Sequence, residues 1–329
     1  MAAQLDADLA LVLKRLPYIV IETMTPKSFR ELLQGLAAAS GAFPLPRVPS
    51  LEDIAVKGAA GSLKARVYRP TDGVSPTVVF FHGGGCVGGD IETHDRSARR
   101  LAIETGAVVI SVAYRLTPET RFPGAFDDAL AAVHDVVTRI DEFGRNAQRI
   151  GLAGDGAGGG LAAATAIACR DRNLAVAAQL LIYPGTDMAG LYASAQENSR
   201  FPSRTENADG YFTTLALMRW CANCYLPDKR SSFDWRASPL RARSLIGVAP
   251  AVVCTAEFDP LRDEGEAYAD ALLAAGVATY RRHGPGMIRG YFEMGDSWPA
   301  ARAEAARVRL DFKSLLNRKS LAQEVTNAV

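Results

Sequence analysis

The segment 149–170 reads RIGLAGDGAGGGLAAATAIACR, and it predicts a strand, a tight turn and a helix in immediate succession. Its apolar start, residues 149–153, has the length and composition of a buried strand, and its alanine-rich end, residues 157–170, has those of a helix. The glycines between them indicate a turn in which the strand and the helix pack closely. A strand followed at once by a helix is the repeating unit of a parallel sheet.

The same alternation extends along the chain on both sides of this segment. Continuous apolar runs predict strands that are covered on both faces, and longer periodic stretches between them predict helices. The predicted strands are residues 54–57, 63–68, 77–81, 107–113, 149–153, 179–183, 251–255 and 279–282, and the predicted helices are residues 125–140, 157–170, 264–275 and 300–316. We therefore predict an α/β protein with a mostly parallel, doubly wound sheet.

Two parts of the chain do not follow the alternation. Residues 5–40 contain leucine-rich stretches that predict helices ahead of the first strand. Residues 185–235 are rich in polar, aromatic and turn residues, and they predict an insertion that covers the carboxyl edge of the sheet. The expected units are N-terminal cap helices over 1–48, an α/β core over 49–185 and 236–316, a cap insertion over 186–235, and a C-terminal tail over 317–329.

The charge balance of the chain argues against a nucleic-acid partner. The 329 residues include 37 Lys and Arg against 36 Asp and Glu, and no basic stretch carries interleaved aromatic residues. No apolar run is long enough to span a bilayer, so we expect no membrane partner.

The cysteines and the first residues predict a cytoplasmic protein. Five cysteines are an odd number, which argues against a disulfide framework and favours a reducing compartment. Lys14, Arg15 and Pro17 interrupt the first apolar stretch, which therefore lacks the continuous core of a signal peptide. Cys221 and Cys224 form a C-x-x-C pattern, but no second pair and no nearby histidine completes a site. We expect neither a metal ion nor a cofactor.

Two glycine-rich turns follow predicted strands, at the edge of an open α/β sheet where ligands bind. His82-Gly83-Gly84-Gly85 comes directly after the strand that ends at Phe81. Its consecutive glycines allow backbone N–H groups to face a ligand, as they do in the oxyanion hole of lipases and esterases. The second turn, residues 154–159, has the Gly-x-Ser-x-Gly frame of a nucleophile elbow, but Gly156 stands in place of the serine.

With further motifs in the same order, the chain resembles the hormone-sensitive-lipase-like carboxylesterases of bacteria from about residue 24 to about residue 312. The motifs that carry the resemblance are HGGG at 82–85, YRLTPE at 114–119, GDGAGG at 154–159, LIYP at 181–184, DPLRDE at 259–264 and GMIRGY at 286–291.

The resemblance implies an α/β-hydrolase fold with an eight-stranded sheet, a helical cap and a Ser-His-Asp triad that hydrolyses carboxylic esters. It implies Asp259 as the triad acid, and Gly83, Gly84 and Ala157 as the residues whose N–H groups form the oxyanion hole. The other residues expected at the ligand pocket are His82, Gly85, Cys86, Asp155 and Tyr211. The cap residues expected to offer aromatic surface are Phe201, Tyr211, Phe212 and Trp220.

The chain departs from the family pattern at two catalytic positions. Gly156 stands where these esterases have the nucleophilic serine, and Arg289 stands where their Gly-Met-Ile-His-Gly pattern has the catalytic histidine. Glycine has no side-chain atom that could attack a carbonyl carbon. Arginine stays protonated at any workable pH and cannot accept a proton. We therefore expect a degenerate triad that does not hydrolyse esters.

Two interactions are open to Arg289, and two residues could act as surrogates for the missing groups. Arg289 could form an ion pair with Asp259, or its guanidinium could point into the pocket and bind a ligand carboxylate or enolate. Cys86 could replace the nucleophile and His283 could replace the base. We interpret Cys86 as a buried, unreactive thiol and His283 as a packed strand histidine.

These observations favour a non-hydrolytic protein that binds a small acyl-like or carbonyl ligand in the oxyanion-hole pocket, similar in kind to the plant gibberellin receptors. One alternative is an enzyme of another reaction class, which would use the oxyanion hole to stabilise an enolate or alkoxide. Others are a carboxylic ester hydrolase that carries inactivating substitutions, and a purely structural or interaction role. A homodimer is implied by the resemblance alone.

Overall fold

The computed structural model describes residues 4–14, 16–17, 19–39, 43–294 and 298–318. One eight-stranded sheet forms the centre of the molecule. Its strands are β1 (Ser50–Gly58), β2 (Gly61–Arg69), β3 (Thr77–Phe81), β4 (Val108–Val112), β5 (Ile150–Asp155), β6 (Ala178–Ile182), β7 (Ala251–Phe258) and β8 (Thr279–Ile288). The strands that the apolar runs predict are thus present at the expected positions. β8 continues six residues beyond its predicted end.

The order of the strands in the sheet is β1-β2-β4-β3-β5-β6-β7-β8. β1 pairs antiparallel with β2, β2 pairs antiparallel with β4, and all the other pairs are parallel. The eight-stranded, mostly parallel sheet implied by the family resemblance is confirmed. Because β3 and β5 are neighbours, the turns that follow them meet at the same edge of the sheet.

Helices cover both faces of the sheet. Alternate residues of β3 divide between two buried clusters, Val79 and Phe81 in one, Val78 and Phe80 in the other. The helices are α1 (Ala7–Leu13), α2 (Pro26–Ala39), α3 (Asp95–Thr105), α4 (Gly124–Thr138), α5 (Ala157–Asp171), α6 (Ala195–Asn198), α7 (Ser203–Glu206), α8 (Leu215–Tyr225), α9 (Arg262–Ala274), α10 (Tyr291–Met294) and α11 (Pro299–Leu316). The apolar pattern does not predict α3, because several of the residues that it buries, among them Asp95, Ser97 and Thr105, are polar.

The N-terminal helix α2 and the insertion helix α8 lie together above the carboxyl edge of the sheet. Phe29 of α2 clusters with Leu217 and Cys221 of α8 and with Val87, which follows β3. Arg30 fixes α2 to the core, since its guanidinium donates to the Val87 carbonyl at 2.8 Å and to both carboxylate oxygens of Glu119. The two segments therefore close the sheet edge as one cap.

In the described part of the chain, no helix has both the length and the hydrophobicity needed to cross a bilayer. All five cysteines are free thiols, and Cys221 and Cys224 lie one turn apart on α8.

A buried ion pair anchors the insertion to the core. The Arg204 guanidinium bonds to Glu264 at 2.5 Å, both side chains are inaccessible to solvent, and the guanidinium also stacks on Tyr192 and Phe201. Breaking a buried pair leaves an uncompensated charge, which costs about 3–5 kcal/mol. We expect Arg204→Met to lower the free energy of unfolding by this amount, as measured by urea denaturation.

The matched control for this prediction is Arg200→Met. Arg200 also stacks on the Phe201 ring, and it pairs with Asp187 at 3.4 Å, but half of its side chain is exposed. Arg200 is half exposed, and the buried Asp187 keeps its closer bond to Arg241 at 2.9 Å, so this variant should lose only about 0–1 kcal/mol. Equal losses in the two variants would contradict the assignment of Arg204 as the anchor.

Candidate active site

The turn between β5 and α5 places Gly156 at the carboxyl edge of the sheet. Gly156 has φ 55° and ψ −116°, a conformation that glycine adopts without the strain an L-residue would bear. Its N–H donates to the Ile182 carbonyl at 2.9 Å, and its carbonyl accepts from Gly160 and Gly185. The backbone of the turn is therefore held in one geometry from both sides, without any contribution from a side chain.

The glycine loop after β3 faces this turn. The Gly83 N–H donates to the Asp155 carboxylate at 2.8 Å and also lies 3.3 Å from His94 Nε2. This corrects the expectation that Gly83 supplies an oxyanion-hole donor, because its only N–H is already bonded. Among the described residues, the N–H groups of Gly84 and Gly85 meet no protein acceptor, and both glycines line the cavity.

Arg289 joins the loop after β8 to the loop after β7. Its Nη1 donates to Asp259 Oδ2 at 2.8 Å, and the carboxylate of Asp259 is fully buried. The guanidinium stacks 5.1 Å from the centre of the Tyr183 ring. Burial alone would lower the pKa of Arg289, but the charge of Asp259 outweighs it and the pKa is raised. Arg289 therefore keeps its positive charge beside the Asp259 carboxylate.

The other end of the same guanidinium points at Gly156. A Cβ atom on residue 156 would lie 2.9 Å from Arg289 Nη2, and nothing else would come closer than 3.8 Å. Arg289 thus makes both interactions that the sequence leaves open: it pairs with Asp259 and it also lines the cavity. A side chain at residue 156 would have to displace the guanidinium.

A buried polar cluster lies under the two glycine turns. His94 Nε2 is 3.3 Å from Asp155 Oδ1; burial opposes the charged form of His94, but the Asp155 carboxylate raises the pKa of the imidazole to about 9. The Tyr183 hydroxyl donates to Oε2 of Glu293, whereas Oε1 of Glu293 is shielded from solvent and has no partner within the described part of the chain. Burial, together with the Asp155 charge, raises the pKa of Glu293 to about 7.

The sequence did not single out His94 or Glu293. Glu293 lies on the four-residue helix α10, where no periodic pattern exists, and the only signal is an acidic residue shortly after the GMIRGY motif. Within the described residues, His94, Asp155 and Glu293 are the group whose ligand atoms approach one another closely enough to hold a metal ion. The fit is poor, because His94 is protonated and so presents no lone pair at neutral pH.

A cavity of about 900 Å³ opens above the two turns. Of the residues expected at the ligand pocket, Gly85 and Asp155 line this cavity, together with Gly84, Gly156, Ala157, Arg289 and apolar residues of α2 and α8. His82, Cys86 and Tyr211 do not line it, contrary to expectation. The His82 ring stacks on Tyr114, and Tyr211 packs against Phe258. Of the four cap aromatics predicted to face the ligand, only Phe212 lines the cavity, because Phe201 and Trp220 pack within the cap.

Neither surrogate residue is placed to replace the missing groups. Cys86 is buried, and burial raises the pKa of its thiol to about 12, so the reactive thiolate is scarce at neutral pH. His283 is exposed rather than packed, and its Nδ1 lies 3.0 Å from a carboxylate oxygen of Glu266. It is distant from the site along the chain, because β8 continues for five residues beyond it to Ile288. The site therefore depends on the backbone N–H groups, Arg289 and the buried cluster.

The sheet, the tight strand-turn-helix, the facing glycine loop and the capped cavity together define an α/β-hydrolase of the esterase type. A family model for the alpha/beta hydrolase fold matches residues 78–293. The chain is 37% identical over 283 residues to the carboxylic ester hydrolase LipN of Mycobacterium tuberculosis, covering 82% of this chain and 72% of that protein. It is 36% identical over 240 residues to an ethyl acetate hydrolase of Pseudomonas putida, covering 71% and 73% of the two chains.

Solved structures show the same relationship. A hyperthermophilic esterase from the archaeon Pyrobaculum calidifontis superimposes with a TM-score of 0.87 at 38% identity, covering 95% of this chain and 99% of that one. The chain belongs to the hormone-sensitive-lipase-like carboxylesterase family of α/β-hydrolases.

Proposed function

We propose that this protein binds a small carbonyl-containing organic ligand in the capped cavity and does not hydrolyse carboxylic esters through a serine triad. The observation that carries the proposal is the position of Arg289. One end of its guanidinium pairs with Asp259, the expected triad acid, and the other end lies where a side chain on residue 156 would begin. The Arg289 guanidinium therefore adjoins the space that a nucleophilic side chain on residue 156 would need, and it replaces the histidine that would pair with the triad acid.

Binding, in contrast to hydrolysis, needs only groups that the chain has kept. The N–H groups of Gly84 and Gly85 have no acceptor among the described residues, and Ala157 begins a 15-residue helix whose N-terminus favours partial negative charge. A ligand carbonyl oxygen can accept from such donors without any covalent step. The apolar walls from α2 and α8 suit an acyl chain or a ring.

We expect the unaltered protein to hydrolyse p-nitrophenyl acetate and p-nitrophenyl butyrate no faster than buffer containing an equal concentration of albumin. The physical reason is that no side chain at residue 156 can attack the carbonyl carbon and no base adjoins it. The measurement is p-nitrophenolate release over hours at neutral pH. Hydrolysis at rates typical of esterases would show that a surrogate nucleophile exists and would overturn the proposal.

Binding itself is tested by titrating the protein with 4-phenylbutanamide, a neutral carbonyl compound that esterases do not cleave, in a calorimeter. Met218→Trp fills the cavity and is expected to abolish the binding heat. Ile246→Trp places the same side chain on an exposed residue outside the cavity lining and should leave binding unchanged. Turnover of a non-ester carbonyl compound would instead favour an enzyme of another reaction class.

A further inference from the structure

The anion-attracting groups of the cavity are concentrated around Gly156. Gly84, Gly85, Ala157 at the N-terminus of α5 and Arg289 all line the same space, and Nη2 is the end of Arg289 nearest Gly156. A neutral carbonyl oxygen would use the backbone donors, but only a carboxylate would also use a charged guanidinium, which binds carboxylates through paired N–H donors. This end of the cavity is therefore suited to an acid.

A negative charge on Glu293 would oppose the binding of such a ligand. The ion pairs of His94 with Asp155 and of Arg289 with Asp259 each cancel, two cations against two anions. Glu293 lines the same cavity and belongs to neither pair. An ionised Glu293 would therefore add a negative charge that neither pair compensates, and Arg96, a further cation of the lining, is bonded to the Pro44 and Phe43 carbonyls.

Glu293 also has an oxygen that lacks a partner. Tyr183 donates to Oε2, whereas Oε1 accepts from no group in the described residues and is closed to solvent. An unpaired buried carboxylate oxygen costs free energy, whereas a protonated Oε1 becomes a hydrogen-bond donor. Because Oε1 is both unpaired in the described chain and closed to solvent, its surroundings favour the neutral form of Glu293.

We propose that the ligand of this cavity is a small organic carboxylate and that Glu293 holds a proton when the carboxylate is bound. The proposal rests on the proposed function, because it concerns the same cavity and names the class of ligand. No bond other than the O–H of Glu293 forms, and the proton comes from solvent. Binding therefore consumes up to one proton per carboxylate wherever free Glu293 is ionised.

Among the described residues that line the cavity, Glu293 is the group expected to titrate between pH 6 and pH 8; Glu264, whose pKa is also raised to about 7, lies outside the lining. Burial, together with the Asp155 charge, raises the pKa of Glu293 to about 7, and the positive charge of His94 opposes this. The pKa of His94 is raised to about 9 and that of the Cys254 thiol to about 12, so neither changes its charge state substantially in this interval. The titratable groups that interact with Glu293 are Asp155 at the end of β5, His94 before α3, Tyr183 after β6, Cys254 in β7 and Tyr291 on α10. Arg289 before α10 lines the same cavity, and Glu304 on α11 acts on Cys254 and Tyr291.

The sign of the pH dependence follows from this pKa. Below it, Glu293 is neutral and affinity is constant; above it, each ligand must bring a proton, and affinity falls toward tenfold per pH unit. We expect the Kd of 4-phenylbutyrate, which is ionised throughout, to rise about tenfold between pH 6 and pH 8. Calorimetry in two buffers of different ionisation enthalpy should show uptake of more than half a proton per ligand at pH 8.

Glu293→Gln is the discriminating variant, because glutamine still accepts from Tyr183 but cannot titrate. We expect its Kd for 4-phenylbutyrate to be the same at pH 6 and pH 8, with no proton uptake. The neutral 4-phenylbutanamide reports whether each variant still has an intact cavity.

Each outcome decides between the two proposals. A pH-independent Kd in the unaltered protein, or the same pH dependence in the glutamine variant, overturns the role of Glu293. If the amide binds and the carboxylate does not, the ligand class is wrong and the proposed function stands. If neither compound binds at either pH, the proposed function fails as well.

Discussion

The double substitution Gly156→Ser with Arg289→His is expected to raise the rate of p-nitrophenyl butyrate hydrolysis by at least about 10⁴-fold over the unaltered chain. The serine would supply the nucleophile, and the histidine would take the place of a guanidinium that already contacts Asp259 at 2.8 Å. The remaining parts are in position: the backbone of the turn is fixed by hydrogen bonds, and the Gly84 and Gly85 N–H groups meet no acceptor in the described chain. The measurement is initial-rate kinetics on purified variants.

The single substitutions are the controls, and we expect both to be nearly inactive. Gly156→Ser alone brings a Cβ atom to 2.9 Å from Arg289 Nη2, so the guanidinium must move, and no base is present. Arg289→His alone provides a base without a nucleophile. Members of a triad act as a unit, so the effects should be strongly non-additive.

Two results would contradict this reading of the site. High activity in either single variant would show that the serine or the histidine finds an unexpected partner. A double variant that is folded by circular dichroism but inactive would show that the oxyanion loop or the cap has also diverged from an esterase.

The sequence was sufficient for the central fold because the relevant signals are local. The run from Arg149 to Arg170 contains a buried strand, a glycine turn and an alanine-rich helix, and the structure places β5 and α5 there. Hydrophobic periodicity carries less information where the buried face of a helix includes polar residues, and α3, which buries Asp95, Ser97 and Thr105, was missed for this reason. The end of β8 was also missed, because the glycines near it read as a loop.

The site was only partly predictable because its geometry depends on contacts between distant segments. The glycine motif around Gly83 predicts a free N–H group. In the structure, the Gly83 N–H donates a hydrogen bond to the Asp155 carboxylate, 72 residues further on. Glu293 gave no signal because its importance comes from burial beside Asp155 and Tyr183, which no local pattern records. The double role of Arg289 likewise depends on the absence of a side chain at Gly156.

That dependence explains why the two departures from the family pattern fit together. A serine at residue 156 would crowd the guanidinium, and a histidine at residue 289 would leave the space above Gly156 empty. With glycine and arginine present together, the turn is relaxed and the buried acid is neutralised. The pair therefore forms one structural unit, whose stability can be measured apart from any ligand.

The last prediction concerns that unit: Arg289→Met is expected to lower the free energy of unfolding by about 3–5 kcal/mol. The variant leaves the Asp259 carboxylate fully buried and without a cation, and among the described residues its remaining hydrogen bond comes from the Leu261 N–H at 2.9 Å. Adding Asp259→Asn removes the stranded charge, so the double variant should be more stable than Arg289→Met alone. The measurement is urea denaturation, with the m-value checked for each variant.

Arg281→Met is the control for the loss of an arginine, because Arg281 pairs with Asp270 on the surface and both side chains are more than half exposed. Exposed pairs contribute about 0–1 kcal/mol, so this change should be almost silent. A loss of less than about 1 kcal/mol in Arg289→Met would mean that the buried acid does not need the guanidinium. The presence of Arg289 would then be explained by the end of its guanidinium that faces the ligand, which would favour its role in binding a carboxylate.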